Sequence, residues 1–141
     1  MSAINTGRVV AGGLVAGVVM NAVDMASQWC LGDDMAAMVT KLNLDPVVLS
    51  DWTKMLPWIA VDLVIGILIV LNYAAMRPRF GPGPKTALMA GFTIYAGITA
   101  VMYGFMTMGM FTESFFLKSA GCSAVSTALA SLVGGLLYQE K

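Results

Sequence analysis

Histidine is absent from the 141 residues, and cysteine occurs only at Cys30 and Cys122. The first absence removes the commonest ligand of haem, zinc and copper, and the commonest general base near neutral pH. The second leaves too few thiols for a disulfide framework or a thiolate metal site. Charge is scarce as well. Only 11% of residues are Asp, Glu, Lys or Arg, against about a quarter in a soluble domain. Acidic and basic residues balance at eight each, with no basic cluster of the kind that grips phosphate, so no nucleic-acid partner is expected. There is no Ser/His/Asp set, no Cys-x-x-Cys, and no Gly-rich loop with the Lys-Ser/Thr ending of a P-loop. No enzyme, no cofactor and no metal are expected from such a chain.

What fills the chain is apolar: 58% of residues are hydrophobic. In water they would expose more apolar surface than the polar residues could cover. The chain therefore reads as one integral membrane domain, 1–141, all-α, with membrane lipids as its surroundings. Arg8 precedes an apolar run from Val9 to Val23 that looks like the start of a signal peptide. No small-x-small cleavage site follows, because Asp24 stands where a small residue is needed before Ala26, so a retained first helix is expected over 6–31.

The stretch from Leu31 to Asp51 is the most polar. Leu31, Met35, Met38, Val39 and Leu42 share one helical face, which predicts a short amphipathic helix on the membrane surface between spans 1 and 2. Asp45-Pro46 then reads as a helix start, a cap followed by proline at the first position. Further spans are expected over 55–76, 86–110 and 114–138, with a polar tail Gln139-Glu140-Lys141. The fold class is a four-helix membrane bundle.

Between the second and third spans lies Arg77-Pro78-Arg79-Phe80-Gly81-Pro82-Gly83-Pro84-Lys85. With three prolines and two glycines it reads as a stiff, non-helical connector. It also sets the expected orientation. Arg77, Arg79 and Lys85 would make it a cytoplasmic loop, joined on that side by Arg8 and Lys141, while Lys41, Lys54 and Lys118 lie opposite. Trp29, Trp52 and Trp58 fall on the opposite, outer side, where indole rings anchor at headgroup level. Both termini are then cytoplasmic. The run Tyr73-Ala74-Ala75-Met76 with this connector and Thr86-Ala87, and the opening Gly12-Gly13-Leu14-Val15-Ala16-Gly17-Val18-Val19-Met20-Asn21, resemble a family of small bacterial inner-membrane proteins. The resemblance implies a multi-pass protein of the bacterial inner membrane with four helices. It implies no catalytic residue.

Counting ~1.5 Å per residue from the connector side places Asp24 at ~24 Å, Asp62 at ~22 Å, Thr99 and Tyr103 at ~21 and ~27 Å, and Ser123 at ~24 Å. A polar intramembrane cluster of Asp24, Asp62, Thr99, Tyr103 and Ser123 is therefore expected at one level. Two such acids could share a proton or hold a cation, because charge in a membrane is costly and faces a bundle interior or water. The plainer reading is that they accept hydrogen bonds from the neighbouring hydroxyls. Tyr95, Thr99, Tyr103 and Thr107 form a polar stripe on the third helix, which suits helix–helix hydrogen bonding. Met102, Met106 and Met110 could hold Cu(I), although packing is the simpler role for methionine. The same counting puts Cys30 at the outer surface and Cys122 about 6 Å into the bilayer, which disfavours a disulfide.

Small residues form rows at four-residue spacing: Gly13 and Gly17; Ala96, Ala100 and Gly104; Ala120, Ala124 and Ala128; Ser123, Thr127, Ser131 and Gly135. Such rows let helices approach closely in lipid. The two rows on the last helix suit two neighbours, hence a partner or a second copy. The expected function is a non-enzymatic structural or accessory membrane protein, packing with itself or in a larger membrane complex. The alternatives are a small proton- or cation-linked transporter using Asp24 and Asp62, and a lipid- or hydrophobic-ligand-binding protein.

Overall fold

The computed structural model describes residues 4–139; Glu140 and Lys141 of the polar tail lie outside them. Four helices form the fold: α1 (Thr6–Lys41), α2 (Leu56–Phe80), α3 (Pro84–Thr107) and α4 (Glu113–Leu137). Each is long and apolar enough to cross a bilayer.

The first difference from the sequence reading is at the end of α1. No separate surface helix follows the first span, because α1 continues without a break to Lys41. At 36 residues it is ~54 Å long, well beyond the ~30 Å apolar core of a bilayer. Nothing between Leu31 and Lys41 stops it: there is no proline, and Gly32 is a lone interior glycine. Leu31 and Val39, from the expected amphipathic face, are buried on the continuous helix. The stop comes at Asn43, in the left-handed region at φ 52°, a conformation asparagine tolerates. There the Leu44 N–H donates to the Val39 carbonyl at 3.0 Å. Asp45-Pro46 opens a single 3-10 turn, Pro46–Leu49, and a second spans Trp52–Lys54. Asp45 and Asp51 cap them by accepting from the Val47 and Thr53 N–H groups, both at 2.9 Å.

A second correction concerns the connector. Arg77, Pro78, Arg79 and Phe80 belong to the last turn of α2, and Pro84 and Lys85 to the first turn of α3. Only Gly81-Pro82-Gly83 is loop. Proline at this point removes one late hydrogen bond while its fixed φ already suits the helix. Gly81, at φ 79°, ends α2, and Pro84 starts α3 where its missing N–H has no partner to lose. The Thr86 hydroxyl donates to the Gly81 carbonyl at 2.8 Å and ties the turn down.

The helices run alternately up and down. α1 packs on α2 and α4, α3 packs on the same two from the other side, and α2 touches α4 across the diagonal. The α1–α2 crossing is backbone on backbone. A Cβ on Gly17 would stand 2.5 Å from the Leu63 Cα and 2.8 Å from the Asp62 carbonyl, one on Gly13 would meet the Ile67 Cα, and one on Gly66 the backbone of Gly13 and Gly17. This is the close approach that the Gly13/Gly17 pair predicts. On α4, Gly134 faces Val70 and Ala16, while Gly135 faces Ala87. The core of Ala16, Met20, Ile69, Val70, Tyr73, Ala87, Ala90 and Ala130 lies around these contacts. α3 is the least embraced helix. Its buried residues are Thr86, Ala87, Ala90 and Gly91, all towards the Gly83 end. Near the Gly109 end its aromatic rings meet the turn and α4, Phe105 with Phe111 of the turn at 6.1 Å and Tyr103 with Phe116 of α4 at 5.8 Å.

Candidate functional site

The polar seam lies where α1 meets α2 and α4. Because Gly17 lets the α1 backbone touch α2 beside Asp62, the residues just beyond this contact are held close together. Asn21, one turn along α1, donates to the Gly17 carbonyl at 3.0 Å and across the interface to the Ile59 carbonyl at 3.4 Å. Asp62 is buried, with 9% of its surface exposed. Asp24 is half-buried on α1, and the two carboxylates are close enough for their charges to interact. From α4, the buried Ser126 hydroxyl stands beside the Asp24 carboxylate.

Of the five residues expected at one level, the structure brings together Asp24 and Asp62. Ser126 takes the place expected for Ser123, which is half-buried nearly one turn away on α4. Thr99 and Tyr103 sit on α3, which packs on α2 and α4, and among the described residues neither hydrogen-bonds to an acid. Tyr103 is exposed, with its ring against Phe116. Equal depth along two helices does not make their side chains converge; the rotation of each helix decides that. Two adjoining carboxylates can hold one proton between them. As cation ligands they supply only part of an oxygen shell, so a hard ion there would also need water and backbone carbonyls.

Sequence reasoning passed over two amides. Besides Asn21, Asn72 on α2 donates to the Ala90 carbonyl at 3.1 Å and the Thr93 hydroxyl at 2.6 Å on α3. An amide inside a 20-residue apolar run is itself a signal, since it must find partners there.

At the Gly83 end, the three basic residues expected in the loop take different places. Arg77 lies over the rings of Tyr73 and Tyr138, at 5.7 and 5.3 Å, and these rings meet edge-on at 6.0 Å. The Tyr73 hydroxyl accepts from the Gly83 N–H at 3.2 Å, and the Tyr138 hydroxyl from the Asn5 N–H at 3.3 Å. This end of the bundle is thereby pinned to the start of α1, the turn and the end of α4. Arg79 reaches back over Phe80 at 5.8 Å, and Lys85 is exposed on the first turn of α3.

The cysteines overturn the depth argument. Their sulfurs are 3.5 Å apart. The register explains it: Lys118, four residues before Cys122, pairs with Asp34, four residues beyond Cys30, at 2.6 Å. The antiparallel helices α1 and α4 are thus aligned so that Cys30 meets Cys122. Counting from the surface failed because α1 does not end at Leu31. Comparison with protein-family models, curated proteins and solved structures finds no match for this chain.

Proposed function

We propose that this chain is a non-enzymatic packing subunit of the membrane, with the Gly109-side half of α3 as the face that meets another transmembrane helix, in the first instance a second copy. One observation carries this reading. Ala96, Gly97 and Ala100 are exposed on α3, and a Cβ added at Gly97 or Gly104 would meet nothing within 4 Å. Helical glycine costs ~1 kcal/mol relative to alanine, and inside the isolated chain these two return nothing. Between helices in lipid they permit close packing. The test is purification in mild detergent, with mass measured by light scattering and co-migrating species identified by mass spectrometry. The parent should run as an oligomer or with a stoichiometric membrane partner, and Gly97→Leu should release it. A parent that runs as a monomer, or carries only lipid, refutes the assignment.

A second reading is favoured by the placing of Asp24 and Asp62 close enough for their charges to interact: a proton- or cation-linked path through the seam. Under it, Asp62→Asn folds normally and abolishes a pH-dependent flux in vesicles; under the packing reading, Asn serves in place of Asp.

The placement we infer is a bacterial inner membrane with both termini cytoplasmic. The resemblance of the connector and the first helix supports the compartment. Arg8, Arg77, Arg79 and Lys85 at the Gly83 end, against exposed Trp29, Trp52 and Trp58 towards the other, support the orientation.

A further inference from the structure

We propose that Cys30 and Cys122 are a disulfide-forming pair that joins α1 to α4 covalently at the Gly109 end of the bundle. The thiols sit on separate helices with sulfurs 3.5 Å apart, and the Cys30 thiol donates to the Ser27 carbonyl at 3.0 Å. Bonding requires the sulfurs to close from 3.5 Å to ~2.05 Å. Two contacts hold the helix ends in register independently of the thiols. Lys118 pairs with Asp34 at 2.6 Å, and Lys41 donates to the Gly109 carbonyl at 2.7 Å. Access is open, since Cys30 is exposed. Cys122 lines a groove of about 350 Å³ with Val23, Ala26, Ser27, Gly121 and Val125.

The oxidant is an external disulfide, RSSR, from a protein or a small thiol. The exposed Cys30 thiolate attacks one sulfur of RSSR, breaks its S–S bond and displaces RS⁻. The Cys122 thiolate then attacks the Cys30 sulfur of the mixed disulfide and displaces the second RS⁻. The two protons released by the cysteines end on two RSH, and the two electrons lost by the pair are those gained by RSSR. In the cell the link rests on the orientation inferred above, because disulfides persist where the compartment is oxidising.

Two measurements test it. Cells are quenched in acid and alkylated with a maleimide. The protein should take up no label until reduced and two labels afterwards. Separately, reduced purified protein is treated with oxidised glutathione. It should become two hydrogens lighter with no glutathione retained, and melt roughly 5–10 °C higher, since the link closes a long loop. C30S and C122S should show neither change. Mixed disulfides or cross-linked dimers as the only products overturn the pairing. Free thiols in the quenched cells overturn the link as a native feature. In that event, Gly83→Cys in a C30S/C122S background separates the causes. Labelling by an impermeant maleimide from outside means the orientation has failed, and protection means the pair itself has.

Discussion

Replacing Gly17 with alanine adds one methyl group, and the structure says where it goes. It would stand 2.5 Å from the Leu63 Cα, where ordinary contact begins at 3.4 Å, so α1 and α2 must part by about 0.9 Å. Neither obstacle is a flexible side chain; both Leu63 Cα and the Asp62 carbonyl are backbone. Overpacking of this kind costs ~1–3 kcal/mol, and an immovable neighbour puts Gly17 at the upper end. Alanine returns ~1 kcal/mol of helix propensity. The net loss is about 2 kcal/mol, a fall of roughly 6–10 °C in Tm for a chain of this size. Gly97→Ala supplies the control. It collects the same propensity with nothing within 4 Å to resist it, so the detergent-solubilised chain should be unchanged or melt a few degrees higher. Tryptophan fluorescence or helical circular dichroism against temperature reads both. If Gly17→Ala melts with the parent, the backbone crossing of α1 and α2 is wrong.

Asn72→Leu removes the bonds to Ala90 and Thr93 and should cost about 0.6–1.7 kcal/mol in the same melt; no loss would mean that the α2–α3 amide bridge is absent in the membrane. Thr127→Leu forces a larger side chain into a site only 4% exposed, and should destabilise by about 1–3 kcal/mol, whereas parent-like melting would place that row against lipid. Hydrogen bonds from the Thr53 hydroxyl and N–H hold the Asp51 carboxyl below the usual aspartate range. A depressed folded pKa stabilises the cap above the ordinary value, and this is lost as pH falls through the lowered one. Hydrogen exchange at the Thr53 amide should therefore quicken only in acid, and a rate that ignores pH in that range, after correction for intrinsic exchange, refutes the cap.

The spans were legible in the sequence because a bilayer demands long apolar runs, and hydropathy reports those directly. The boundaries were less so where two structures share one pattern. The face of Leu31, Met35, Met38, Val39 and Leu42 suits a helix lying on a membrane and equally one that continues upward against the chain that follows. The connector misled for the opposite reason: its prolines are breakers in mid-helix but tolerable in a last turn or a first one. Gly13 and Gly17 could be read as a contact, since glycine spacing marks a close approach on its own helix. Which helix would come, and at what rotation, is a property of two surfaces. That is why Ser126 rather than Ser123 reached Asp24, and why the cysteines met against the depth count.

The length of α1 has a mechanical consequence. Its contact with α2 at Gly13 and Gly17 is a crossing of smooth backbones, the narrowest point between the two rods and the natural fulcrum. From Gly17 to Lys41 is ~36 Å of continuous helix, with no proline or bulge to absorb bending. A turn of only about 5° at the fulcrum would carry Lys41 ~3 Å, about the length of its bond to the Gly109 carbonyl. The far end of α1 and the turn between α3 and α4 are thus joined by a bond that a small tilt at the crossing would stretch by its own length.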